Sequence, residues 1–329
     1  MKIGFHASHE QFSPGALLDL AVAAEQAGFD AIKCSDHFHP WSERQAQSGF
    51  AWSWLGAALA RTQLPFGTIT APGYRYHPAI VAQAIATLAE MFPRRLWTAL
   101  GSGQAINEAI TGEAWPEKPE RNARLAECVE IIRRLLRGET VTHRGRVTVI
   151  EARVYSLPPM VPPLFGAAVT PETAAFVGTW ADGLLTTGGD PASVARVVQA
   201  FRSGGGEGKP VMIQHALSWA TTSDQAFAQA IDQWAGAAAG GEVNWDLRRP
   251  ADFDRIGRMV GRQHIGEMVA VSADLDEQAA RIASYAELGA DTVYLHNVGT
   301  NQRPFIEAFG AHVLPKLRGL TSPSSISMT

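Results

Sequence analysis

Short apolar runs alternate with longer stretches in which apolar residues recur every third or fourth position, almost from one end of the chain to the other. The first pattern belongs to strands buried on both faces, the second to helices packed along one side. Strands are predicted at residues 3–5, 31–34, 65–69, 96–100, 164–168, 184–187, 211–218 and 292–296. Helices are predicted between them, at 14–26, 50–60, 77–91, 119–136, from 171, from 191, at 276–288 and at 302–317. Ser13 and Pro14 form a start signal for the first helix, a capping hydroxyl followed by a residue that needs no N–H partner. Two segments depart from the alternation. Residues 140–155 place Val141, Val147, Val149 and Val154 around Arg144-Gly145 and predict a β-hairpin, and residues 224–265 predict a mostly helical excursion. The last dozen residues, 318–329, rich in Ser and Thr, predict a flexible tail.

Eight strands, each followed by a helix and with no Pro/Gly-rich linker, fit an α/β fold of the (β/α)8 TIM-barrel type, one domain over residues 1–317. A doubly wound open sheet is the alternative, because strand order is not written in a single sequence. The chain's 329 residues are normal for a barrel with insertions, and 46% hydrophobic against 18% charged residues supplies a sizeable core. Net charge is −4 with no basic block, which argues against nucleic acid. No apolar stretch approaches the ~20 residues of a membrane span. The N-terminal segment turns polar at His6, and the two cysteines, Cys34 and Cys128, sit in apolar surroundings. A reduced, cytoplasmic protein is the expectation.

The chemistry concentrates at predicted strand ends. Directly after the second strand come Asp36, His37, Phe38, His39, Pro40 and Trp41, an acid, two imidazoles and an indole in six positions. Polar residues at the C-terminal mouth of a buried strand are where α/β enzymes hold their active groups, although Asp, His and Pro also make plain turns. A barrel brings to the same mouth His6 and His9, Thr68 to Ala71, Ser102 with Gln104, Asn107 and Glu108, Val169 with Thr170, Thr186 to Gly189, and His296 with Asn297. Val169-Thr170-Pro171 starts a capped helix and is the best anion seat. The pairs His6/His9 and His37/His39 offer a metal-dependent hydrolase or lyase as a competing reading, but no third ligand has a recognised spacing. Gly101-Ser102-Gly103 is not a dinucleotide fingerprint, since Ile106 stands where the third glycine belongs.

The segments Ser35-Asp36-His37-Phe38-x-Pro40-Trp41, Tyr74-Arg75-Tyr76-x-Pro78, Gly101-x-Gly103-x-Ala105-x-Asn107-Glu108 and Gln302-Arg303 resemble the luciferase-like flavin oxidoreductases. Within that family the likeness is to the F420-dependent glucose-6-phosphate dehydrogenase group, in matching order from about residue 2 to residue 317. The resemblance implies a (β/α)8 barrel, a homodimer, and FMN or the deazaflavin F420 at the strand C-termini. It also implies a non-prolyl cis peptide near Thr68-Ile69-Thr70, with Thr68, Ile69 and Ala71 against the ring. Asp36 would contact the ring or its polyol chain, His37 would carry the proton beside the reacting carbon, and Trp41 would steady it. Ser102, Gly103 and Asn107 would meet the cofactor tail, and Ala168, Val169 and Thr170 would cradle its phosphate.

Departures from that pattern separate cofactor readings. The sugar-phosphate dehydrogenases carry a proton-donating glutamate where this chain has Gln104, and an amide cannot exchange a proton in that role. Their phosphate-binding lysine aligns with Gly189, and the threonine of their third-strand loop is Ala71. Together with Ser8-His9-Glu10-Gln11-Phe12, these losses resemble a branch of the family that has reverted from F420 to FMN. The expectation is an FMN-dependent oxidoreductase with a small-molecule substrate, NAD(P)H as reductant and, where O2 is the co-substrate, monooxygenase activity. An F420-dependent dehydrogenase of an alcohol or sugar phosphate and a non-catalytic flavin-binding protein are the alternatives.

Overall fold

The computed structural model describes residues 1–240 and 243–319, so most of the predicted tail lies outside the described residues. Parallel strands β1 (Lys2–Ala7), β2 (Ala31–Cys34), β3 (Phe66–Thr70) and β4 (Leu96–Leu100) lead into the antiparallel hairpin β5 (Val141–Arg144) and β6 (Thr148–Ala152). The parallel series resumes with β7 (Leu164–Ala167), β8 (Leu184–Thr187), β9 (Val211–Ser218), the two-residue β10 (Ala270–Val271) and β11 (Thr292–Asn297). Pairing runs β11-β1-β2-β3-β4-β7-β8 and closes through β9, which pairs with both β8 and β11. The result is a closed eight-strand parallel barrel, which excludes the open doubly wound sheet.

The helices begin where the sequence places caps. Ser13 Oγ accepts from Ala16 N ahead of Pro14–Ala27, and Thr170 Oγ1 accepts from Thr173 N ahead of Pro171–Gly178. The excursion is helical, as expected, with Ser223–Trp234, Pro250–Gly257 and Arg262–Met268. Two features depart from expectation. β10 is too short to show a strand pattern and lies parallel to Leu217 and Ser218 of β9. The last helix is not continuous: Gln302–Ala308 passes through a π-turn, Phe309–Val313, into Leu314–Leu317. Pro315 has no N–H to give a carbonyl one turn back, so the ladder widens just before it.

Alternation along each strand divides two cores. Ile3, Phe5 and Ala7 face outward and join Leu17, Ile32, Leu55 and Phe66 under the helices. Ala31, Trp97, Ala99, Phe165, Leu185 and Tyr294 fill the barrel interior. Two large rings there lie beside glycines on the neighbouring strand: Gly4 is the register partner of Tyr294, and Gly67 that of Trp97. A Cβ on either glycine would run into the facing ring. Trp97 Nε1 donates to Tyr294 Oη at 3.1 Å, so the barrel interior is sealed by a hydrogen-bonded aromatic layer.

This packing makes Gly67→Ala an overpacking change, expected to cost about 1–3 kcal/mol. Thermal denaturation should show a lowered Tm, partly restored by Trp97→Phe in the double variant. An unaltered Tm for Gly67→Ala would refute the fit.

Candidate active site

The mouth is assembled from loops that follow β1, β2, β3 and β4. Asp36 and His37 closely follow β2, and their surroundings are dominated by one guanidinium. Arg75, from the loop after β3, donates from Nη2 to the Asp36 carbonyl at 2.9 Å and places Nη1 3.5 Å from Asp36 Oδ1. Its backbone N donates to Glu108 Oε2 at 3.1 Å, and its Nε lies 3.7 Å from Glu108 Oε1. Tyr76 Oη also donates to Asp36 Oδ1, at 3.0 Å. All three charged groups are buried, with side-chain exposure of 7% for Arg75 and 1% for each carboxylate. Burial pushes Glu108 up to about 7, against the opposing charge of Arg75. Asp36 Oδ2 is left buried with no protein partner, an acceptor in want of a donor.

His37 has a partner that was not singled out for that role in the sequence. Glu10 is buried just after β1, and its Oε1 faces His37 Nδ1 at 3.4 Å. Glu10 Oε2 accepts from Ser8 Oγ at 2.9 Å and from Ser35 Oγ at 2.6 Å. Burial alone would raise the Glu10 carboxyl, but the His37 charge and the serine and backbone donors outweigh it and hold it below its ordinary value. Burial lowers His37, with Glu10 opposing and Arg75 adding to the fall. His37 Nδ1 also lies 3.3 Å from the His39 carbonyl, and Ser48 Oγ donates to the His37 carbonyl at 2.7 Å. The ring is therefore fixed from the Nδ1 side, leaving Nε2 as the free nitrogen.

Trp41 packs against His37, ring centroids 4.9 Å apart. The excursion holds it there: Phe253 lies 5.3 Å and Trp234 6.4 Å from the Trp41 ring. Gln233 joins the excursion to the barrel by accepting from Gln11 Nε2 and, through its carbonyl, from Gln45 Nε2. A segment that looked like an insertion thus forms one wall of the mouth.

The other sequence candidates are distributed as follows. Asn107 Oδ1 accepts from Phe38 N at 2.9 Å and His39 N at 3.4 Å, while its Nδ2 donates to Gln104 Oε1 at 3.4 Å. His39 Nδ1 lies 2.7 Å from the Ile106 carbonyl, so it ties the β2 and β4 loops together. Gly103 has φ +81°, and a Cβ there would press on Glu108, Trp115 and Ala71, which places Ala71 and Gly103 side by side. Ser102 Oγ accepts from Lys118 Nζ at 2.8 Å, and Arg121 Nη1 reaches the Gly103 carbonyl at 3.5 Å. Burial, then Arg121, lowers Lys118 to about 8. Ala168 is buried, Val169 is exposed and Thr170 caps its helix. Ile69 sits with the barrel-interior set, whereas Thr68 is fully buried with its hydroxyl turned to the Cys34 carbonyl at 3.4 Å.

The expected cis peptide is corrected. Among the described residues every peptide bond is trans, including those of Thr68-Ile69-Thr70. β3 keeps its ladder through Thr70, paired with Leu100, and the Thr70 carbonyl accepts from Gly101 N. A continuous ladder gives no compensation for the ~3 kcal/mol a non-prolyl cis bond costs.

The histidines do not converge on a ligand set. His6 packs on His296 and His9 edge-on to Trp54, and no group of three or more His, Cys, Asp or Glu among the described residues is placed to hold a metal ion. A cavity of about 590 Å³ lies between His39 and Ile106 of the β2 and β4 loops and Arg249 of the excursion; neither His37 nor Asp36 lines it.

Comparison with known proteins places this geometry. Residues 1–292 match the luciferase-like monooxygenase family. The chain is 35% identical to the F420-dependent glucose-6-phosphate dehydrogenase of Microbacterium testaceum, covering 97% of this chain and 98% of that protein. Among solved structures, an F420-dependent secondary alcohol dehydrogenase in complex with an F420–acetone adduct superposes with TM-score 0.90 at 33% identity, over 96% of this chain and 99% of that one. The F420-dependent tetrahydromethanopterin reductase of Methanopyrus kandleri shares the fold, with TM-score 0.77 at 20% identity over 96% of this chain and 99% of that one. No described helix is long and apolar enough to cross a membrane.

Arg75→Met should leave the Asp36 and Glu108 carboxyls buried without their cation, at a cost of about 3–5 kcal/mol. A raised folded-state pKa makes a carboxyl destabilising above its unfolded value, and losing Arg75 raises Glu108 further. The Tm deficit relative to the parent should therefore be larger at pH 8 than at pH 5.5, where Glu108 is protonated in both. A deficit independent of pH would show that Arg75 acts by packing alone.

Proposed function

We propose that this chain, which belongs to the luciferase-like monooxygenase family, is an oxidoreductase that moves hydride between an alcohol carbon, or its carbonyl, and the deazaflavin F420. The observation that carries the reading is the His37–Glu10 pair, an imidazole with a lowered pKa backed by a buried carboxylate at the barrel mouth. Its support is the 33–35% identity to F420-dependent dehydrogenases along almost the whole chain.

The residues present fit a flavin-type ring. Asp36 Oδ2 is a buried acceptor without a donor, the Thr70 hydroxyl is buried without a partner, and the small residues Ala71 and Gly103 lie side by side on the adjoining loops. Asp36 would take a ring N–H, Ile69 and Ala71 would line the ring, and Asn107 would position the loops around it. Ser102, Gly103 and Lys118 would meet the tail, and the N–H groups after Thr170 would receive its phosphate. When bound, the ring supplies the hydride acceptor and donor.

The chain's own residues manage the proton. As an alcohol carbon becomes a carbonyl, its hydroxyl proton goes to His37 Nε2, and in the reverse direction the same nitrogen returns it. Glu10 holds the Nδ1 side and stabilises the imidazolium that forms. Trp41, clamped by Phe253 and Trp234, covers the ring and excludes water. Glucose 6-phosphate is disfavoured, because Gly189 brings no cation to that position and has open space where its Cβ would stand. A second reading, an FMN enzyme able to use O2, is favoured by Gln104, whose amide cannot replace a proton-donating carboxyl.

Absorption titration of the purified protein, with F420 and FMN separately, tests the cofactor. Saturable binding of F420 is expected; saturation by FMN alone would transfer the conclusion to the second reading, and binding of neither would defeat both. With the cofactor that binds, His37→Ala should cut turnover by roughly 10²–10⁴ while cofactor binding persists.

The pH profile tests the pair. A general base with a lowered pKa is active above that pKa, so kcat/KM for alcohol oxidation should rise with pH to a plateau, with its midpoint below the ordinary imidazole value. Glu10→Gln removes the charge that raises His37, so the midpoint should move to lower pH and the plateau should drop. A midpoint that stays put or moves up would dissociate Glu10 from His37.

A further inference from the structure

Directly beneath the mouth the barrel interior turns from polar to basic. Lys33 on β2 is the register partner of His6 on β1, and His6 packs on His296 of β11 with ring centroids 4.3 Å apart. Lys33 has no accessible surface, and His6 and His296 are 5% and 2% exposed. Lys33 Nζ, His6 Nδ1 and His296 Nε2 are all buried without a partner. The nearby carboxylates are already engaged, Glu10 by Ser8, Ser35 and His37, and Asp36 by Arg75 and Tyr76. The barrel interior around them is otherwise apolar, filled by Ala99, Ile69, Ala167, Phe165, Trp97 and Tyr294. Trp97 shares a hydrogen-bonded row with Lys33 through Gly67, and Tyr294 stands two positions before His296 on β11.

We propose that Lys33, His6 and His296 form an anion-receiving floor that takes a carboxylate-like oxygen of the ligand bound at the mouth. Buried ammonium and imidazole nitrogens are kept where something satisfies them, and the structure supplies one ammonium and two imidazole nitrogens that no hydrogen bond among the described residues engages. The aromatic layer leaves the mouth as the route of entry. The inference deepens the oxidoreductase reading and rests on it only for the side from which the ligand arrives. The oxygen has two sources, a carboxylate on the substrate, which makes the substrate a small hydroxy or oxo acid, or an ionisable ring oxygen of the cofactor.

The groups that face Lys33 set the pH behaviour. Burial brings its ammonium down to about 7, with Cys34 on its own strand and Glu10 after β1 opposing the fall. Burial holds His6 well below its ordinary value and His296 at about 3, and the Lys33 charge lowers both further. Lys33 is then the one of the three that becomes cationic near neutrality. An anion favours the charged lysine, so affinity should fall as pH rises through about 7.

Sodium acetate is the probe, titrated by calorimetry and thermal shift into the cofactor-free protein at constant ionic strength, at pH 6.0 and 8.5. Saturable binding is expected, roughly tenfold weaker at the higher pH. Lys33→Met, which keeps the buried stem and removes the charge, should fold as judged by circular dichroism and lose the binding. Acetate that still binds with F420 saturating assigns the floor to a substrate carboxylate. Acetate displaced by F420, with the bound F420 band shifted in Lys33→Met, assigns it to the cofactor oxygen. No saturable acetate binding to the parent protein at either pH, together with an F420 band indifferent to Lys33→Met, overturns the proposal. Acetate binding without any F420 binding would sink the F420 reading and leave the floor standing.

Discussion

A guanidinium buried between two carboxylates is the constraint around which the mouth is built. Asp36, Arg75 and Glu108 come from the segments after three successive strands, and none of them can be withdrawn from water alone without a heavy desolvation penalty. Their mutual pairing fixes the three segments relative to one another. The Phe38 and His39 amides are held by Asn107, one residue from Glu108, so the Asp36–Trp41 segment bearing His37 is pinned by the same corner. The arrangement leaves Asp36 Oδ2 buried without a protein partner. The corner is thus the scaffold of the mouth, with one carboxylate oxygen left open.

Beneath that corner the barrel is layered by the period of its strands. Aromatic rings matched to glycines seal the interior, the basic group of Lys33, His6 and His296 adjoins them, and the proton-active His37 stands at the rim. Trp234 connects the wall to the floor, since its ring lies near both Trp41 and His296.

Eight parallel strands were legible because a strand buried on both faces must be apolar throughout, and the bounds of β2, β4, β8 and β9 coincide with those expected. The Asp36–Trp41 segment after β2 stood out as a candidate site because its side chains have little use in a plain turn. What the sequence did not disclose is what closure alone creates. Glu10 meets His37 across the β1–β2 boundary, Lys118 meets Ser102 across a loop, and Trp234 meets Trp41 from a segment far along the chain. None of these pairs has a spacing rule. The trans peptides of Thr68-Ile69-Thr70 went unforeseen for the opposite reason, since that expectation came from resemblance and not from the residues.

Gln104 can be understood through charge balance at the same mouth. Glu10, Asp36 and Glu108 are three buried carboxyls against one guanidinium, and Glu108 is already pushed up to about 7. A carboxylate at position 104 would add a further negative charge to the same mouth, which favours the protonated form of its neighbours. The amide instead accepts from Asn107 and adds no charge. His37 keeps its second nitrogen free with Glu10 held on the Nδ1 side, so the neutral amide at position 104 leaves that pair undisturbed.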